Sequence, residues 1–361
     1  MVMEAFLAPG SERKTLPKNT QINGFRTLLC CLVVAYHLGG IFFVRFGSLS
    51  KMPSIYANLV IADVGVFFIL SGFFLSFKGP WDFLKNKLLR IYIPFALVTA
   101  LVFFICFYSG YPKYITYKDF GLNFLIYPIA MNQAARAAGN LWFIVYLWVF
   151  FTLYYVCNLI AYPFRKKINL VPILMGICGV FAFIYGYIPW KETTTSYGHL
   201  FLNMFFAGHY RSPAFLFAGY FLRLAYDGCV KKWRWPYQLS ADLLAVSMFV
   251  FLSIQLFQTD QYHWASALLL VGLMVLFILC LFQKLRFFEV LPFQVVGSAS
   301  LWIYMIHENI GYLIINSFYA LDASLYPVGL YLALIYAFLG GILLNALYEK
   351  ALSSFRKRAS L

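Results

Sequence analysis

Arg26 and His37 stand eleven residues apart in a stretch, Asn23-Gly24-Phe25-Arg26 to Tyr36-His37, that is otherwise almost wholly apolar. At about 100° and 1.5 Å per residue, a helix returns them to within roughly 20° of one face and separates them by roughly 16 Å. That rise is about half of a hydrocarbon core. Ionisable groups inside a spanning helix are costly and face a bundle interior or a water-filled cavity. The plainer reading is an arginine that snorkels to the headgroups and a histidine satisfied by a neighbouring helix. Two such groups on one face favour a site.

Other polar residues fall inside apolar runs. Asp63 lies at a depth similar to that of His37. A carboxylate beside a histidine fixes its tautomer and favours the imidazolium formed when the ring accepts a proton; the alternative is a carboxylate solvated at headgroup level. Ser71-Gly72 sits in mid-run, where small residues more often mark close helix packing. Lys87 and Arg90 are three apart and able to share a helix face. They suit either inner-face anchoring or the phosphates of a nucleotide-bearing donor. Trp142 opens another run, a place usual for an interfacial ring. His307 and Glu308 fall near the middle of a further run, which points to a cavity lining. As helix neighbours they do not face each other. His199, His209 and His263 fall between runs, where acceptor binding or no specific role is expected. The seven cysteines show no CxxC or Cys/His spacing, so neither a metal site nor a disulfide framework is expected.

The elements that must position these groups are membrane helices. A chain of 361 residues that is 63% hydrophobic and only 11% charged is too apolar for a soluble domain. The net charge of +15 sits between apolar runs rather than on one stripe, which excludes nucleic acid as the expected partner. Ten runs of near-spanning length lie at about 22–44, 58–78, 90–109, 139–161, 170–188, 213–227, 239–257, 264–282, 297–318 and 327–350. The shorter run 119–131 reads as a re-entrant or interfacial piece. With the amino terminus inside, twenty basic residues, Arg223 among them, fall in cytosolic segments and seven in outer ones. This bias fits an even number of spans. The expectation is an all-α, polytopic membrane helix bundle of about ten transmembrane helices with both termini cytosolic. A cytosolic tail, 1–21, precedes a transmembrane domain, 22–350, and a basic tail, 351–361, follows it. No cleavable signal is evident, so the first span is expected to act as its own anchor.

Taken together, these stretches resemble the acyltransferase-3 family of integral membrane acyltransferases. The matching pieces are Gly24-Phe25-Arg26 with His37, Phe67-Phe68-Ile69-Leu70-Ser71-Gly72-Phe73, Lys87-x-x-Arg90 with Tyr92 and Pro94, Leu141-Trp142-Phe143, and Gly297 through Tyr304-Met305-Ile306-His307. Where the family usually has Gly-Val-Asp before Phe-Phe, Asp63 and Gly65 stand here in exchanged places. Lys87 replaces an arginine, and Asn140-Leu141 replaces a histidine-containing pair.

The resemblance implies transfer of a short acyl group, typically acetyl, from cytosolic acyl-CoA to a hydroxyl of a cell-surface or lipid-linked glycan, by a multi-pass protein of the plasma membrane. His37, neutral in a low-dielectric tunnel, takes the hydroxyl proton as a general base or relays the acyl group covalently. Asp63 supports it. Arg26 holds a CoA phosphate or polarises the thioester carbonyl. Lys87 and Arg90 clamp the nucleotide, and His307, Glu308, Trp142 and Ser71 line the acceptor side. Beyond acyl-CoA, acceptor and membrane lipids, no metal is implied. The competing class is a secondary transporter or polysaccharide exporter, against which stands the lack of paired Gly/Pro-broken helices in two matching halves.

Overall fold

In lipid every backbone N–H and C=O must be satisfied within the protein, and a helix does this within its own segment. The structure, a computed structural model, describes residues 19–41, 54–109, 116–126, 141–165, 169–187, 205, 212–232, 235–259 and 263–359. Among them it is all helix, with no strand. In chain order the helices are α1 (Thr20–Val34), α2 (Ser54–Phe73), α3 (Pro80–Lys87), α4 (Ile93–Ser109), α5 (Tyr117–Asn123), α6 (Trp142–Ala161) and α7 (Val171–Tyr187). They continue with α8 (Ser212–Val230), α9 (Trp235–Thr259), α10 (His263–Leu281), α11 (Leu291–Leu321), α12 (Tyr326–Ile335) and α13 (Gly341–Ala359). Four helical stretches among the described residues are long and apolar enough to cross a membrane: Thr20–Gly39, Pro80–Ser109, Trp142–Phe164 and Ala323–Phe355. The last is mostly exposed and presents Val328, Tyr331, Ile335, Leu339, Leu343 and Leu347 outward, the exterior that lipid requires.

Local chemistry explains where these helices start and bend. Asn19 caps α1 by accepting from the N–H groups of Gln21 and Ile22 at 3.0 and 3.3 Å. Its amide also donates to the Cys280 carbonyl at 2.8 Å, which ties the start of α1 to the end of α10. Pro94 has no N–H to give and its ring crowds the preceding turn. The chain meets this with a widened π-helical turn, Leu88–Tyr92, joining α3 to α4.

Helix pairs are set by glycines on which another backbone lies. A Cβ on Gly24 would stand 2.0 Å from the Phe288 carbonyl oxygen, and one on Gly297 1.9 Å from that of Asn23. On the far side of α1, a Cβ on Gly219 would stand 2.0 Å from the Ile69 carbonyl oxygen, and one on Gly72 2.1 Å from that of Leu216. Small residues let helices approach this closely where lipid supplies no hydrophobic drive between them.

The same contacts give chain directions. Asn23 meets Gln294 and Leu38 meets Gly311, so α1 and α11 run the same way. Gly65 meets Phe215, Ile69 meets Gly219 and Phe73 meets Tyr226, so α2 and α8 are also parallel. Phe150 on Phe217 and Tyr154 on Tyr220 make α6 parallel to α8. In contrast, Asn19 on Cys280 with Phe25 on Phe277 makes α10 antiparallel to α1. Ile303 on Gly341 with Trp302 on Tyr348 makes α13 antiparallel to α11.

The structure adds detail to three of the expected stretches. Arg223, counted among the basic residues of the cytosolic segments, lies buried within α8, where its Nε donates to Asp227 Oδ1 at 2.7 Å and its guanidinium sits 5.4 Å from the Phe73 ring. The stretch expected as a basic tail continues α13 in helix to Ala359. Of the run 119–131, residues 119–126 are described. With α5 they fold back along α4, with Tyr117 on Phe107, Phe120 stacked on Phe103 at 4.0 Å, and the Tyr92 hydroxyl donating to the Phe124 carbonyl at 2.7 Å.

Gly219→Ala is expected to lower the Tm of detergent-purified protein, at about 1–3 kcal/mol for overpacking against a backbone. Gly176→Ala, whose Cβ would meet nothing within 4 Å, should leave it unchanged. Equal Tm values for the two variants would refute the close contact of α2 and α8.

Candidate active site

The parallel contact of α1 and α11 brings His37 to His307 and Glu308. Past Val34, α1 widens into a π-helical segment, Ala35–Ile41, that carries His37; such segments often occur at functional sites. On the facing helix Gly311 leaves room for the side chain of Leu38, since a Cβ there would stand 2.6 Å from Leu38 Cδ2. The residue beside His37 is thereby held against the turn that follows Glu308.

His37 Nδ1 lies 3.3 Å from Glu308 Oε2, and both side chains are buried. The pair is at ion-pair distance without hydrogen-bond alignment, as catalytic pairs often are before substrate binds. A carboxylate on Nδ1 favours a proton there and leaves Nε2 as the basic nitrogen. The His307 ring stands 4.9 Å from that of His37, centroid to centroid. His307 Nδ1 lies 2.7 Å from the Tyr304 carbonyl and 3.2 Å from that of Ile303. Carbonyls only accept, so Nδ1 carries the proton and Nε2 is a lone pair. That nitrogen is fully buried and has no hydrogen-bond partner among the described residues. An unsatisfied buried acceptor costs roughly 1–3 kcal/mol, which a ligand's N–H or O–H would recover.

An aromatic wall continues from the imidazoles. Tyr304 stands 5.8 Å from His307, Phe143 5.0 Å from Tyr304, Phe68 4.4 Å from Phe143, and Trp142 5.8 Å from Phe68. Trp142 is buried in this wall.

Arg26 belongs to the same inward face. Ile22, Leu29, Cys30, Val33 and His37, all buried, lie within about 60° of it around the helix. Cys31 and Ala35, which are exposed, lie about 140° and 180° away. Arg26 is itself solvent-accessible, yet protein surrounds it densely. An exposed cation on an arc of buried neighbours is what a group lining an internal aqueous space would show, and cysteine labelling tests it.

The remaining candidates lie elsewhere. Lys87 Nζ sits 3.6 Å over the Phe151 ring and 5.4 Å from that of Phe83, a cation–π seat between α3 and α6. Phe151 is eight residues, about 12 Å of helix, beyond Phe143. Arg90, past the first residues of the π-helical turn, is exposed. The Ser71 hydroxyl donates to the Phe67 carbonyl one turn back at 2.9 Å. The Asp63 and His263 side chains, and His199 and His209 altogether, lie outside the described residues. Among the described residues no group of three or more His, Cys, Asp or Glu is placed to hold a metal.

Glu308 was legible as an intramembrane carboxylate but not as the partner of His37. The glycines give the missing signal: setting Gly24 beside Gly297 brings His37 level with residue 310, within one turn of His307 and Glu308. Phe143 and Tyr304 carried no separate signal in a chain so rich in aromatic residues.

A family model described as an acyltransferase domain matches residues 19–346. The chain belongs to this acyltransferase-3 family. No curated protein and no solved structure matches it.

In a cysteine-free background, Arg26→Cys is expected to react with a membrane-impermeant methanethiosulfonate in nanodiscs, and Leu29→Cys, three residues on and fully buried, is not. Protection of both cysteines would remove the internal aqueous space.

Proposed function

We propose that this member of the acyltransferase-3 family moves a short acyl group, acetyl in the first instance, from cytosolic acyl-CoA to a hydroxyl of a cell-surface or lipid-linked glycan at the outer face of the plasma membrane. The observation that carries the reading is the buried contact of His37 with Glu308 beside His307. The parallel pairs α1/α11, α2/α8 and α6/α8, with the antiparallel pairs α1/α10 and α11/α13, fit a ten-span path, and the bias of basic residues favours both termini on the cytosolic side. Each pair fits spans that alternate in direction along the chain.

In this scheme His37 Nε2 takes the proton of the acceptor hydroxyl as its oxygen attacks the thioester carbonyl. The carbon–sulfur bond then breaks, and the departing CoA thiolate recovers a proton. Glu308 holds the imidazolium formed in between and keeps the ring oriented, the part a buried carboxylate plays behind a catalytic histidine. His307 Nε2 accepts a hydrogen bond from the bound substrate. Arg26, a cation on the wall of an aqueous space, faces the donor and stabilises either its phosphates or the charge that develops on the thioester oxygen. Lys87 and Arg90 lie towards the cytosolic end, where the nucleotide of the donor would enter. The aromatic seat of Lys87 makes Arg90 the freer of the two for phosphate. Covalent relay through an acyl-His37 is the rival course, and it requires the same tautomer.

The test is purified protein in nanodiscs with radiolabelled acetyl-CoA, read as bound label and released CoA. Wild-type protein is expected to bind the donor and release CoA slowly. His37→Ala should lower release by about 10²–10⁴-fold, the usual worth of a positioned proton acceptor. Glu308→Gln should lower it by about 10–100-fold, the worth of one charge-assisted contact. Label that survives denaturation and vanishes in His37→Ala would assign the covalent relay. Full activity of folded His37→Ala would sink both courses.

A further inference from the structure

We propose that Phe143 closes the acyl end of the site and limits the donor to short acyl groups. This rests on the reading above that the donor is an acyl-CoA and that His37 works on its thioester.

Glu308 occupies the Nδ1 side of His37, and the neighbouring Leu38 packs into the space left by Gly311. The thioester carbonyl therefore meets the Nε2 side of the ring, and an acyl chain leaving that carbonyl runs past His307 onto the wall of Tyr304 and Phe143. That wall is closed. Phe143 is buried, with the Phe68 ring at 4.4 Å, the Tyr304 ring at 5.0 Å and the Phe67 ring at 6.2 Å, centroid to centroid. Rings at these separations are in contact, which leaves no channel for a row of methylenes between them. An acetyl group presents one methyl to this wall; a longer chain must displace a packed ring.

Phe143 stands on α6, whereas the reacting groups stand on α1 and α11. Its ring can be cut back without removing any group that touches the thioester. A buried apolar space opened in this way accepts an apolar ligand in place of the lost ring. Each methylene that finds such space contributes a factor of about four in affinity. The two methylenes that separate butanoyl from acetyl should change the ratio by about fifteenfold.

The experiment measures apparent Kd from ligand-induced Tm shifts in nanodiscs with acetyl-CoA, butanoyl-CoA and hexanoyl-CoA. Wild-type protein, Phe143→Ala, Phe143→Leu and the control Phe150→Leu are compared. Phe150 is also a buried ring of α6, but it packs on Phe217 at 5.2 Å. Affinity of the wild type should fall with chain length. Phe143→Ala should shift the butanoyl-to-acetyl ratio by about fifteenfold towards butanoyl, with Phe143→Leu in the same direction by less and Phe150→Leu unchanged. If the alanine variant does not fold, the leucine variant carries the comparison. An unchanged ratio in Phe143 variants that still bind acetyl-CoA would overturn the proposal, as would wild-type protein that binds hexanoyl-CoA as tightly as acetyl-CoA. Folded wild-type protein that binds none of the three would refute the acyl-CoA reading itself, an outcome visible without any variant.

Discussion

The side-by-side approach of α1 and α11 is the contact on which the site depends. Two glycines allow it, Gly24 under Phe288 and Gly297 under Asn23, each with another segment's carbonyl where a Cβ would be. Polar groups then fasten it. Asn23 donates to the Gln294 carbonyl at 2.9 Å, Gln21 donates to Glu289 at 2.6 Å, and Thr27 donates to the Phe293 carbonyl. All of these lie in the first half of α1, more than two turns from His37. Because the helices are parallel, alignment at this end propagates along both axes and sets His37 level with His307. The chemistry at one depth is registered by packing at another.

This division explains what could be read from the chain alone. Helix content, apolar exterior and the inward face shared by Arg26 and His37 follow from composition and a 3.6-residue period, both local properties. The resemblance to a family likewise rests on short local stretches, and the family match bears it out. Contacts between distant segments were not local. Depth, the one coordinate the sequence offered, suggested Asp63 as a carboxylate for His37, and its side chain lies outside the described residues; depth gave no hint of Glu308, some 270 residues away, which stands against His37 among the described ones. Rotation about the helix axes decides such pairs, and only the neighbouring helix sets that rotation. Arg223 makes the same point: counted with the basic residues of the cytosolic segments, it is neutralised inside α8 by Asp227, one turn on.

Lys87 shows how a charge motif can be divided by its surroundings. Spacing gives Lys87 and Arg90 a common helix face, but the widened turn that accommodates Pro94 begins directly after Lys87. Phe151 and Phe83 take up the ammonium by cation–π contact, while Arg90 remains exposed. The lysine thereby joins α3 to α6, the helix that also carries Phe143. An effect of Lys87 on donor binding would therefore have two physical origins, lost attraction for phosphate and a displaced aromatic wall. Lys87→Arg keeps the charge and the stacking, and Lys87→Met keeps much of the packing alone, so the two substitutions separate these origins.

The charge inventory around His37 also limits what the site can do. Among the described residues, Glu308 is the carboxylate at two imidazoles whose centroids are 4.9 Å apart. A single imidazolium is balanced by Glu308. A second would stand against the first in a low-dielectric interior, where like charges repel strongly. The tautomers reinforce this limit: His307 commits its Nδ1 proton to the backbone of its own helix, and His37 turns Nδ1 to Glu308. Two ring nitrogens with lone pairs are left, and among the described residues the carboxylate stands behind the His37 ring. Under the proposed transfer, a proton taken from substrate would pass to His37, with His307 as a hydrogen-bond acceptor. One stored proton is the capacity that the proposed acyl transfer would use between attack on the carbonyl and departure of the thiolate.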